Sequence, residues 1–171
     1  MATTDPTAQA LAELDRLTRA FNTAQDRVEK ARGPLHEAIV RHLRERSARP
    51  GVIAEHTPYD RNHVGALGRA AGVPPVKGKG AAGPPPVYDP AIAAEALAEL
   101  DRLTKALTSA EEKVEKSRGS LHEAIVRHLR ERSARPGVIA EHTPYDRNHV
   151  GKLGRAAGVP PVKGKGAAGA S

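Results

Sequence analysis

Residues 52–73 read VIAEHTPYDRNHVGALGRAAGV, and residues 138–159 read VIAEHTPYDRNHVGKLGRAAGV. The spacing of apolar residues decides how this stretch folds. Ile53 and Ala54 belong to a short helix, Thr57-Pro58 makes a tight turn, and Asp60 opens a second helix on which Val64 and Leu67 share one face. The stretch is therefore two helices joined by a turn, present twice.

The duplication extends well beyond it. Pairing residues 10–83 with residues 96–169, an offset of 86, leaves ten differences in 74 positions. Nine of the ten fall between Arg19 and Pro34, while residues 35–65 match residues 121–151 without change; the tenth sets Ala66 against Lys152. Repetition on this scale fixes the architecture before any other signal does. It implies a first unit over residues 5–73, a linker over 74–88, a second unit over 89–159 and a flexible basic tail over 160–171. Natural duplication and the fusion of a dimer into one chain both produce such a pattern.

Asp5-Pro6 and Asp89-Pro90 each place a capping residue before a proline suited to the first helical position. From there Leu14, Phe21, Val28 and Leu35 recur every seven residues, with Leu17, Ala24 and Ala31 completing the seam; Leu100, Leu107, Val114 and Leu121 repeat it. Two readings follow, a long helix lying on its own unit or two long helices pairing with each other, and we favour pairing. Gly33-Pro34, and Ser120-x-x-Glu123 at the equivalent place, predict a fresh helix start or a kink. The next helix should bury Leu35, Ile39, Val40 and Leu43 and end near Ser47, followed by short helices over about 51–56 and 60–71. Gly72 suits a C-cap. The expected fold is all-α: two tandem copies of a long amphipathic helix plus a helix-turn-helix unit, paired as an intramolecular pseudo-twofold dimer.

The chain carries a net charge of +7, and its distribution is uneven. Residues 10–40 hold five basic and five acidic residues, whereas residues 41–79 hold eight basic against three acidic. A cationic half-unit points to a polyanionic partner. With no cysteine there are no disulfides or thiolate metal sites. No apolar run approaches a membrane span, and the first nine residues lack a signal-peptide pattern, so a cytoplasmic protein is expected. Aromatic residues make up 2% of the chain, too few for stacked bases or a large apolar ligand pocket.

Enzyme signatures fail on spacing. His36-Glu37 and His42 lack the interval of a zinc-protease helix, and Gly72 to Gly80 lacks the Ser or Thr and the preceding strand of a phosphate loop. No nucleophile has a base placed for it. No enzyme activity, metal, cofactor or small-molecule ligand is expected.

The quoted stretch resembles the helix-turn-helix of bacterial DNA-binding proteins. Ile53 and Ala54 match the family's first-helix core and close-contact positions, Asp60 takes the place of the usual Ser or Thr cap, and Val64 and Leu67 match the residues that seat the second helix. Thr57-Pro58 stands where the family's turn often carries glycine, a departure from the pattern. The resemblance implies a double-stranded DNA partner with two similar half-sites, about 34 Å apart if a twofold axis relates the readers.

The residues agree with that implication. Arg61, Asn62 and His63, with Arg147, Asn148 and His149, occupy the first turn of the reading helix and carry donors and acceptors suited to base edges. Arg49, Thr57, Tyr59, Arg69, Lys77 and Lys79 are expected on phosphates, as are Arg135, Thr143, Tyr145, Lys152, Arg155, Lys163 and Lys165. The alternative is a coiled-coil adaptor, or an architectural nucleoid protein that binds DNA without sequence preference.

Overall fold

The computed structural model of the chain describes residues 5–74 and 87–160, and among these every regular element is helical. In chain order they are α1 (Pro6–Glu45), α2 (Pro50–Glu55), α3 (Arg61–Ala70), α4 (Pro90–Glu131), α5 (Pro136–Glu141) and α6 (Arg147–Ala156). None is long and apolar enough to cross a membrane.

Both long helices start as their sequences dictate. The Asp5 carboxylate accepts from the Thr7 N–H at 3.0 Å, and Asp89 accepts from Ala91 at 2.8 Å, satisfying amides that a helix start leaves without partners. The seam is buried along its length: Leu14, Leu35, Leu100 and Leu121 are fully enclosed, with Phe21, Val28, Leu107 and Val114 close behind.

Of the two outcomes expected at Gly33-Pro34, a fresh helix start or a kink, the fresh start does not occur. Pro34 lies inside α1, and Gly119-Ser120 lies inside α4, so the Ser120-x-x-Glu123 box caps nothing. The local signal lost to burial. Leu35, Ala38 and Ile39 follow Pro34 immediately and are almost wholly buried, whereas Pro34 itself is exposed. Continuing the helix keeps those side chains in the core, and the Lys30 carbonyl that loses its donor belongs to an exposed residue.

Each long helix ends in a residue of left-handed backbone. Arg46 (φ 55°) and Arg132 (φ 56°) follow the last helical residues, and the N–H of Ser47 and of Ser133 reaches back to the carbonyls of His42 and His128 at 3.0 and 3.1 Å. This is the arrangement that ordinarily recruits glycine.

Packing divides the chain into two units that do not follow the repeats. One contains described residues 25–74 and 87–112, that is, the later part of α1, then α2, α3 and the first part of α4. Its enclosed side chains include Leu35, Ile39, Ile53, Val64, Leu100 and Leu107. Arg41 and His42 both bond to Glu99, His42 at 3.0 Å, while His56 donates to Asp101 at 2.8 Å and the Thr104 hydroxyl donates to the His56 carbonyl at 3.0 Å.

The other unit contains residues 5–24 and 113–160, with Leu14, Leu121, Ile125, Ile139 and Val150 enclosed. Arg127 and His128 bond to Glu13 at 2.6 and 3.1 Å, His142 donates to Asp15 at 2.9 Å, and the Thr18 hydroxyl donates to the His142 carbonyl at 3.0 Å. Every one of these pairs is the 86-residue counterpart of a pair in the first unit. Each unit thus contains the early part of one repeat's long helix docked on the rest of the other repeat.

Candidate nucleic-acid interface

The geometry of α3 begins at Asp60. Its backbone is extended (φ −73°, ψ 167°), and its carboxylate accepts the His63 N–H at 2.7 Å. Asp146 does the same for His149. This cap sets the first turn at Arg61, Asn62 and His63, all exposed, as are Arg147, Asn148 and His149.

The opposite face of α3 is fixed from below. Val64 is fully buried and Gly68 is buried, and a Cβ added to Gly68 would lie 3.1 Å from Leu43 Cδ1 of α1. A side chain at 68 would press on Leu43, and glycine lets the two helices approach without that displacement. At the far end the N–H groups of Gly72 and Val73 return to the carbonyls of Arg69 and Gly68 at 3.0 and 2.9 Å, with Gly72 at φ 69°, and Arg44 donates to the Ala71 carbonyl at 3.4 Å. Both ends of α3 are therefore tied down.

Arg61 and Asn62 form no hydrogen bond or ion pair with other described residues, and Arg147 and Asn148 match them. His63 is engaged. Its ring lies flat on Tyr59, with centroids 4.4 Å apart and planes 18° apart, and the Tyr59 hydroxyl is 2.9 Å from His36 Nε2. His149, Tyr145 and His122 repeat the cluster. Burial lowers the pKa of His36 and of His122, helped by the neighbouring His63 and His149, and burial raises the pKa of Tyr59 and Tyr145. The cluster braces the long helix against the turn, which sequence spacing alone does not show.

The residues expected on phosphates separate into groups. Thr57 and Thr143 leave the set, because their hydroxyl oxygens are buried and without a partner, facing into the protein. Tyr59 and Tyr145 are half-buried with their hydroxyls occupied by histidine. Arg49 and Arg135 are exposed at the starts of α2 and α5, and Arg49 lies 5.6 Å from the Tyr88 ring centroid. The position 86 residues before Tyr88 is Ala2, so Arg135 has no corresponding ring in the repeat. Lys152 is exposed on α6, as Ala66 is on α3.

Arg69 lies back along α3. One of its terminal nitrogens is 3.3 Å from where a Cβ on Gly65 would sit, and Arg155 lies 3.4 Å from the same point on Gly151. Lys77, Lys79, Lys163 and Lys165 lie outside the described residues, as do most of the linker and the tail.

Arg41 and Arg127, exposed on the long helices, are paired with Glu99 and Glu13, whereas Arg61 and Arg69 of α3 have no carboxylate partner among the described residues. Glu13 and Glu99 have carboxyl pKa values below the usual range, first because of the hydrogen bonds from Arg127 and Arg41, with burial opposing. Among the described residues no three His, Cys, Asp or Glu side chains converge as a metal site would require. Comparison with known proteins gives no match to any family model, curated protein or solved structure.

Proposed function

We propose that the chain binds double-stranded DNA with sequence preference through α3 and α6, each reading one of two similar half-sites, and that it regulates transcription on the nucleoid in the cytoplasm. The reading is carried by one observation: an Arg-Asn pair, unengaged within the described protein, stands on the first turn of a helix whose cap and inner face are fixed, and it does so twice with identical sequence. Arg presents two donors to guanine O6 and N7, and Asn both donates to and accepts from adenine, so Arg61 and Asn62 have the chemistry to distinguish bases. Exposed Arg49, Arg135 and Lys152 add phosphate neutralisation. The reciprocal contacts of the two repeats support an intramolecular pairing equivalent to a dimer.

The test is fluorescence-anisotropy binding, with selection from a randomised duplex library, at low and physiological salt. Two copies of one short motif at fixed spacing are expected, and Arg61→Ala with Arg147→Ala should abolish that preference. Unchanged affinity and preference in the variant would exclude the assignment; binding without enrichment would indicate a phosphate-directed architectural protein, and no binding an adaptor.

A further inference from the structure

We infer that Arg69 and Arg155 are base readers rather than phosphate contacts, each directed at a guanine in the major groove, and that Gly65 and Gly151 position them. The inference rests on the DNA-binding reading above and deepens it. Arg61, Gly65 and Arg69 are spaced four apart and form one stripe along α3, beside the buried pair Val64 and Gly68. Arg61 and Arg69 are both exposed.

By its Cα alone Arg69 belongs to the far end of the helix, about 12 Å along the axis from Arg61 at the usual rise per residue. Such a position suits a flanking phosphate. The side chain does not remain there. Helical side chains lean toward the N-terminus, and this one lies across the glycine one turn back, its terminal nitrogen 3.3 Å from the absent Cβ. The guanidinium is thereby drawn about 6 Å, one turn, toward the end that carries Arg61 and Asn62. Arg155 over Gly151 repeats the arrangement at 3.4 Å.

Glycine within a helix lowers helix stability relative to alanine, so its presence on an outward stripe calls for a local reason. The structure supplies one: a side chain at 65 would press on the Arg69 guanidinium where it now lies, and glycine leaves that place open. The result is a second planar, two-donor fork, held over the Gly65 turn of α3, with the geometry that matches guanine O6 and N7.

The experiment compares the full chain with Arg69→Ala/Arg155→Ala, using the library selection and then anisotropy titrations on the enriched and a scrambled duplex across a salt series. These are exposed residues, and circular dichroism verifies that the variant remains folded. The expected result is loss of preference at one position of each motif copy, with affinity for the enriched duplex falling about tenfold or more and affinity for the scrambled duplex falling much less. An equal fall on both duplexes, with an unchanged motif and a shallower salt dependence, would assign the two arginines to phosphates and overturn the inference while leaving the DNA-binding reading intact. Absence of any motif for the unaltered chain would overturn both.

Discussion

Pro34 and Ser120 occupy equivalent places in two helices that are otherwise nearly the same, and exchanging them isolates the cost of a helix-interior proline. Pro34 cannot donate to the Lys30 carbonyl, and its ring crowds the preceding turn, which together cost about 3 kcal/mol in a helix interior. Proline also restricts the unfolded chain, which returns up to about 1 kcal/mol. Pro34→Ser should therefore stabilise the protein by about 2 kcal/mol, and Ser120→Pro should destabilise it by a similar amount. For a chain of this length that is a shift of about 4–8 °C in melting temperature, in opposite directions. Thermal unfolding followed by far-ultraviolet circular dichroism reads both, and the double exchange should return the melting temperature close to its starting value. The reasoning fails if Pro34→Ser leaves the transition unmoved, or if Ser120→Pro is tolerated without loss, since either result means that the proline is not strained within α1.

The left-handed residues give a second prediction: with the charge removed in both cases, Arg46→Gly/Arg132→Gly should exceed Arg46→Ala/Arg132→Ala in stability by about 1 kcal/mol per site, because only alanine retains the Cβ clash. Equal denaturation midpoints for the two variants would refute it. The third concerns pH. The folded pKa values of His36 and His122 are lowered, so the unfolded chain takes up these protons first; their contribution is complete above about pH 6.5 and is lost as pH falls through the lower folded values. Glu13 and Glu99 act in the same direction from about pH 4.5 downward. Melting temperature should thus decline on acidification in two stages, and His36→Asn/His122→Asn should remove the upper one; its persistence in that variant would refute the assignment.

Features written in neighbouring residues were legible in the sequence. Asp5, Asp60 and Asp89 cap helices because a short carboxylate reaches amides two or three residues ahead, and Gly72 ends α3 because it alone accepts φ 69° freely. The buried seam followed from its seven-residue period. The fresh helix start that Pro34 suggested does not occur because its preference is local, whereas Leu35 and Ile39 answer to a core assembled from distant chain. The grouping of helices was hidden for the same reason. Glu13 meets His128 across 115 residues, and nothing in either residue type distinguishes that partner from the many other charges. In the interface, the exposed Arg-Asn turn was legible, but the His63 ring on Tyr59 and the inward hydroxyl of Thr57 were not, since both depend on which way a four-residue turn faces.

The crossed construction of the two units has a bearing on how the chain can be shortened. Cutting between the repeats and discarding residues 89–160 would not leave one complete body and remove another. It would strip Glu99, Asp101 and Thr104 from the partners Arg41, His42 and His56, and it would strand Glu13, Asp15 and Thr18 without theirs. One unit would lose residues 89–112 and the other would keep only residues 5–24 of its described residues, with core side chains of both open to water. A lone repeat would therefore keep these groups without the partners that the other repeat's residues supply within each unit, so each unit's local concentration of partners is set by the covalent chain and not by how dilute the protein is.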